Sequence, residues 1–159
     1  MKKHTKILSL ILAVVMIMSV MPMTASAATY GDLTYTVSDG KVTITDCDQS
    51  ISGDFVIPAT IDGYPVTSIG NAAFAWCSYL KRITIPDSVT SIGNSVFSYC
   101  SSLTSITIPD SVTSIGNGAF EDCKSLKRIT IPDSVTSIGK GAFSYCRTLT
   151  SITVDENNK

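Results

Sequence analysis

Histidine and methionine are missing from most of this chain: the single His (His4) and all five Met lie before residue 28 of the 159. Their absence removes the usual general base of Ser and Cys hydrolases and the commonest zinc ligand. Glutamate is scarce too, with only Glu121 and Glu156. No acid, base and nucleophile constellation can be assembled from what is left, so the expectation is a non-catalytic protein with no metal site and no cofactor. Charge makes up only 16% of the residues, and from residue 28 onward nine basic side chains face thirteen acidic ones, a net −4. That balance offers no overall attraction to nucleic acid. No apolar run long enough to span a bilayer follows residue 27.

The first 27 residues have the layout of a secretory signal. A basic start (MKKHTK) precedes an apolar run of 15 residues from Ile7 to Met21, then Pro22 and the small-residue site Ala25, Ser26, Ala27. The run is short for a membrane anchor, so cleavage is expected before Ala28 and the protein is expected outside the cell or on its surface.

The rest of the chain is dominated by repetition. Phe74, Phe97, Phe120 and Phe143 are each 23 residues apart, as are Cys77, Cys100, Cys123 and Cys146. IPDSVTSIG occurs three times unchanged, beginning at Ile85, Ile108 and Ile131, and an earlier version, IPATIDGYPVTSIG at 57–70, carries five extra residues. Ile106 and Ile108 alternate with Thr107 and stop at Pro109, the period-2 pattern of a short strand. Phe97, Cys100 and Leu103 are spaced by three, which suits a short helix or 3₁₀ turn with one buried face. Gly70, Gly93, Gly116 and Gly139, each after the Ile of VTSIG, are read as turn residues needing positive φ. One 23-residue coil cannot enclose a core, but stacked coils can, with each Phe, Leu and Ile packing on its equivalent.

The pattern LxxIxIPxxVxxIGxxAFxxC, present as LTSITIPDSVTSIGNGAFEDC from Leu103 to Cys123, closely resembles the BspA-type leucine-rich repeat of bacterial secreted and surface proteins. The resemblance covers about four coils from Ile57 onward. It implies an α/β solenoid, a curved right-handed superhelix with a parallel sheet on the concave side and short helical or irregular pieces on the convex side. It also implies binding of other macromolecules, since some members are adhesins for host matrix proteins or other cells. Ahead of the repeats, LTYTVSDGKVTIT (33–45) flanks Asp39-Gly40 with two alternating runs, the pattern of a hairpin that caps the first coil. The expected organisation is a signal at 1–27, a β cap at 28–56 and repeats at 57–159 that stop without a cap of their own.

Four features invite a sharper assignment. The in-register cysteines are read as inward-packed free thiols, because equivalent side chains of stacked coils point the same way; Cys47, outside that column, is expected to be the most accessible thiol. Asp87, Asp110 and Asp133 are read as turn residues rather than calcium ligands, which require several oxygens converging on one point. Trp76, Tyr99, Asp122 and Tyr145 precede the cysteines; Trp76, Tyr99 and Tyr145 are read mainly as rings covering neighbouring coils and secondly as a stacking surface for sugars or a partner. The leading candidate surface is the concave sheet, where the side chains between the buried Leu and Ile project outward from the strands. It carries Lys81, Arg82 and Thr84, then Thr104, Ser105 and Thr107, then Lys127, Arg128 and Thr130, then Thr150, Ser151 and Thr153. The expected partner is an extracellular protein or glycan, such as host matrix or another cell, met by a monomer with no nucleic-acid partner and no membrane span once the signal is removed. The alternative is a structural spacer within a larger exported protein.

Overall fold

The computed structural model describes residues 26 to 155. The expected signal lies outside the described residues except for Ser26 and Ala27. Strands β1 (Ala28–Tyr30), β2 (Leu33–Ser38) and β3 (Lys41–Cys47) form an antiparallel meander. Asp39 and Gly40 both have positive φ (51° and 69°) between paired Ser38 and Lys41, the twist that a two-residue hairpin requires. Next come β4 (Gly53–Val56), β5 (Thr60–Ile61) and β6 (Tyr64–Ile69). β5 and β6 pair antiparallel across Asp62-Gly63, so the extra residues of the first repeat become a second hairpin.

From there the chain coils. Strands β7 (Leu80–Thr84), β9 (Ser105–Thr107), β11 (Arg128–Ile131) and β13 (Ser151–Val154) come from the LxxIxI segments. Strands β8 (Ser91–Ile92), β10 (Ser114–Ile115) and β12 (Ser137–Ile138) come from VTSIG. The first set stacks parallel as β4-β7-β9 and β11-β13, with Ile83 opposite Ile106 and Ile129 opposite Ile152. β9 and β11 touch without a ladder between them. The second set extends the meander as β3-β6-β8-β10-β12, with Ser68, Ser91, Ser114 and Ser137 in register. The sequence pattern pointed to one ladder; VTSIG builds a second, because Val89 and Ile92 turn inward while the Thr90 N–H reaches the Thr67 carbonyl at 2.9 Å.

The core lies inside the coils and follows the expected columns. Phe74, Phe97 and Phe120 are fully buried and stack with centroids 5.6 and 5.4 Å apart; Phe143 continues the stack at 5.4 Å but is only half-buried. Phe55 of β4 closes the near end edge-on to Phe74 at 6.0 Å. Leu80, Leu103 and Leu126 and the pairs Ile83 and Ile85, Ile106 and Ile108, and Ile129 and Ile131 fill the remaining space.

There is no helix among the described residues, so the α/β expectation is corrected to a β-solenoid of stacked parallel strands. The Phe-Cys-Leu segments are turns. Each contains two left-handed residues four apart: Ala72 and Trp76 (φ 58° and 68°), Ser95 and Tyr99 (54° and 62°), Gly118 and Asp122 (59° and 58°), Gly141 and Tyr145 (68° and 60°). A right-handed helix cannot contain such residues. Their hydrogen bonds also run elsewhere: the N–H groups of Ala72, Phe74 and Trp76 donate to Asn94, Val96 and Ser98 of the next coil at 2.8, 2.9 and 2.9 Å. The alternate donors, Ala75 and Cys77, close on carbonyls three residues back. Spacing by three records burial, and burial alone does not choose between a helix and a turn.

The glycine expectation also needs correction. Gly70, Gly93, Gly116 and Gly139 are not among the positive-φ residues. They are glycine because coils meet backbone to backbone there: a Cβ on Gly116 would sit 2.4 Å from the Gly93 carbonyl carbon and oxygen, and one on Gly139 2.3 Å from the Asn117 nitrogen. Beside them, the Oδ1 atoms of Asn71, Asn94 and Asn117 each accept the N–H of the equivalent residue one coil on, at 2.8, 2.8 and 2.7 Å.

Among the described residues no coil covers the core positions of the last one, and Ile138, Ile152 and Val154 are 45%, 47% and 51% exposed where their counterparts are buried. In a one-dimensional stack each coil draws most of its stability from its neighbours. Amide exchange should therefore be faster over residues 144–155 than between Ile83 and Leu103; uniform protection across both segments would contradict this.

Candidate interaction surface

The strands set the outward face. Ile83, Ile106 and Ile129 are buried, so the period-2 pleat turns Arg82 and Thr84, Ser105 and Thr107, Arg128 and Thr130 into solvent. Register aligns Asp54, Arg82 and Ser105 in one column and Val56, Thr84 and Thr107 in the next; Arg128 faces Ser151 and Thr130 faces Thr153. Lys81 and Lys127 are exposed just ahead of them. The twelve candidate positions thus share one side of the stack.

Their chemistry is not uniform. Arg82 Nε lies 3.0 Å from Asp54 Oδ1, and with both side chains well exposed this pair is a weak, salt-screened contact that still offsets one charge of the first basic pair. Asp54 sits on β4, a strand of the face that lies ahead of the first expected repeat. Among the described residues, Lys127 and Arg128 form no ion pair, and they are the free positive centre of the face. Lys124 pairs with Asp122 at 3.0 Å. Thr104 and Thr150 are engaged in the stack: their hydroxyls donate to the Lys81 and Lys127 carbonyls at 3.1 and 3.2 Å.

The aromatic column divides. Trp76 and Tyr99 stack face to face, centroids 3.9 Å apart and planes within 1°, so each ring covers the other. Trp76 and Tyr145 are exposed, and Asp122 interrupts the column between Tyr99 and Tyr145. All four occupy the second left-handed position of their turn, which throws the side chain outward. Asp87, Asp110 and Asp133 are exposed. Their turns close through the backbone, Val89 N–H to Pro86 O and its equivalents at 3.0 to 3.2 Å. The inter-coil contact falls to the next residue: Ser88, Ser111 and Ser134 donate to the Val66, Val89 and Val112 carbonyls at 2.7, 2.6 and 2.8 Å.

Cys77, Cys100 and Cys123 are fully buried, in line with the inward reading. The thiols of Cys100, Cys123 and Cys146 donate to the carbonyls of Phe74, Phe97 and Phe120 at 3.0, 3.1 and 3.0 Å. Cys47 is a correction: it is buried, 7% exposed, with its Sγ 3.0 Å from that of Cys77, while half-buried Cys146 is the most accessible of the five. Contact with Cys77, then burial, pushes the Cys47 thiol far above its ordinary range. Burial does the same for Cys100. No local signal in the TDCDQS loop marked this, because the contact is made by the end of β3 folding onto the first coil's turn.

Comparison with solved structures finds bacterial leucine-rich repeat proteins. One from Bacteroides capillosus is 36% identical with a TM-score of 0.73, covering 82% of this chain and 99% of that one. The leucine-rich repeat protein of T. pallidum is 28% identical with a TM-score of 0.65, covering 80% and 71%. A leucine-rich cell surface protein from Faecalibacterium prausnitzii is 32% identical with a TM-score of 0.62, covering 86% of this chain and 45% of that one. Comparison with curated proteins finds no match. The BspA-type leucine-rich repeat region matches residues 55–159 in six copies, an extent that starts within β4 and takes in every coil described above. With its period, its buried columns and its stacked strands all following that pattern, the chain belongs to the BspA-type leucine-rich repeat family.

Proposed function

We propose that this chain is an exported, non-catalytic recognition module that holds an extracellular protein or glycan against the outward face of the LxxIxI strands. The observation that supports it most is the asymmetry of the coil. Most of the repeated residues are consumed by the core and by bonds between coils, whereas Lys81, Lys127, Arg128 and the repeated Thr84, Thr107 and Thr130 face solvent on one side. Such a face attracts an acidic or sulfated partner despite the net negative chain. Its size limits affinity: strands about 4.8 Å apart make a sheet roughly 20 Å across, of order 400 Å² of contact. A stable complex buries about 800 Å² per partner, so a single copy binds weakly and display in many copies strengthens adhesion.

The alternative is a spacer that holds other parts of an exported protein apart. The use of the Thr104 and Thr150 hydroxyls in inter-coil bonds favours that reading. The test is reversal of Lys81, Lys127 and Arg128 to Glu, leaving the Arg82–Asp54 pair in place. Binding to immobilised matrix proteins and to heparin is expected to fall at least about tenfold at low salt and to lose most of its salt dependence. Unchanged binding by a folded variant rejects this face, and substitutions at Trp76, Tyr99 and Tyr145 then test the second surface. Indifference to both sets leaves the spacer.

A further inference from the structure

We infer that Cys47 and Cys77 are a disulfide-forming pair that locks the N-terminal meander onto the first coil. Their sulfurs are 3.0 Å apart in the folded chain, about 1 Å from bonding distance. The other three thiols each donate to a Phe carbonyl of the preceding coil, whereas Cys77 of the first coil meets the thiol at the end of β3. Equivalent cysteines in stacked coils point the same way, but Cys47 belongs to the meander and approaches Cys77 from outside the repeat.

The location gives the bond a purpose. The meander is held to the coils through the β3–β6 ladder, and β4, which follows it, is tied to the first coil by the Gly53 N–H to the Tyr79 carbonyl at 3.1 Å. Cys47 is the last residue of β3, and Cys77 lies in the turn layer beside the fully buried Phe74. A bond between them closes the chain around β4, β5 and β6 and ties the end of β3 to the turn layer, opposite the ladder. Cross-linking residues 30 apart restricts the unfolded chain and stabilises the fold.

The oxidant is a disulfide donor, a small disulfide or an oxidised dithiol protein. One thiolate of the pair attacks one sulfur of the donor, forming a mixed disulfide and expelling one thiolate. The other thiolate of the pair then attacks the protein sulfur of that mixed disulfide and expels the second. The donor leaves as two thiols carrying both electrons and both protons. In the cell this rests on the export reading, because cytosolic thiols are kept reduced. The purified protein tests the pairing without that dependence.

The full chain is refolded in oxidised and reduced glutathione, alkylated, and digested without reduction. Chymotrypsin cuts after Phe55 and Phe74 and so separates the two cysteines, which share one tryptic peptide because no Lys or Arg lies between Lys41 and Lys81. A linked Cys47–Cys77 peptide is expected as the dominant cross-link, with Tm about 5 °C or more above that of the reduced protein. Cys47→Ser should remove the cross-link and the Tm difference together, while Cys123→Ser should keep both. Separate glutathione adducts on Cys47 and Cys77, a dominant Cys123–Cys146 link, or no cross-link in protein whose circular dichroism is native would each overturn the pairing.

Discussion

Gly116→Ala should leave little folded protein, although it adds a single methyl group to a surface groove. The added carbon would lie 2.4 Å from the carbonyl carbon and oxygen of Gly93 and 2.6 Å from the Asn94 nitrogen, all backbone atoms of the preceding coil. No side chain can rotate away to relieve that contact. The coils have to separate where the Gly116 N–H bonds the Ile92 carbonyl at 2.9 Å and the Asn117 N–H bonds Asn94 Oδ1 at 2.8 Å. Overpacking in a side-chain core costs about 1 to 3 kcal/mol, and here the strain falls on the backbone ladder itself, so a loss of at least about 3 kcal/mol is expected. Gly118→Ala is the control. Gly118 has φ 59°, but a Cβ there would meet only side-chain atoms that can give way, Glu121 Oε2 at 3.2 Å and Ser95 Oγ at 3.4 Å, and the change should cost about 1 to 2 kcal/mol. Urea denaturation of the two variants decides the matter. Equal losses would mean that the close coil contact costs no more than an unfavourable φ and does not explain the VTSIG glycines.

Phe97→Ala is the second large effect. Its ring is fully buried between Phe74 and Phe120, with centroids 5.6 and 5.4 Å away, and neighbours on both sides are themselves locked in coils that cannot collapse into the gap. A loss of about 3 to 5 kcal/mol is expected from the cavity. Phe143→Ala removes the same atoms from a half-buried site with a ring on one side only. Its cost should be clearly smaller. Denaturation midpoints at constant slope give the comparison; equal losses would show that the last coil is as tightly held as the interior ones.

Much of this architecture is legible without coordinates. The 23-residue period of Phe, Cys, Leu and Ile identifies the buried columns, and every one of Val96, Phe97, Cys100, Leu103, Ile106, Ile108, Val112 and Ile115 is buried. The outward face was legible for the same reason, since a strand that buries Ile83 must turn its neighbours outward. The turn layer was not legible. Spacing by three at Phe97, Cys100 and Leu103 fits a helix as well as it fits a turn whose alternate N–H groups bond the next coil. Nor was the neutralisation of Arg82 legible, because Asp54 sits on a strand with no repeat signature and meets Arg82 only through parallel pairing.

The sequence by itself determined the period, the composition of the core, the membership of a repeat family and the polarity of the exposed face. A repeat that has to pack on its own copies must place the same side chains inward each time, so burial is written into the spacing. Tertiary structure alone decided the backbone conformation of the turns, the reason for Gly70, Gly93, Gly116 and Gly139, and the meeting of Cys47 with Cys77. Each of these depends on what lies one coil away, 22 to 30 residues along the chain, and no local pattern of side chains carries that distance.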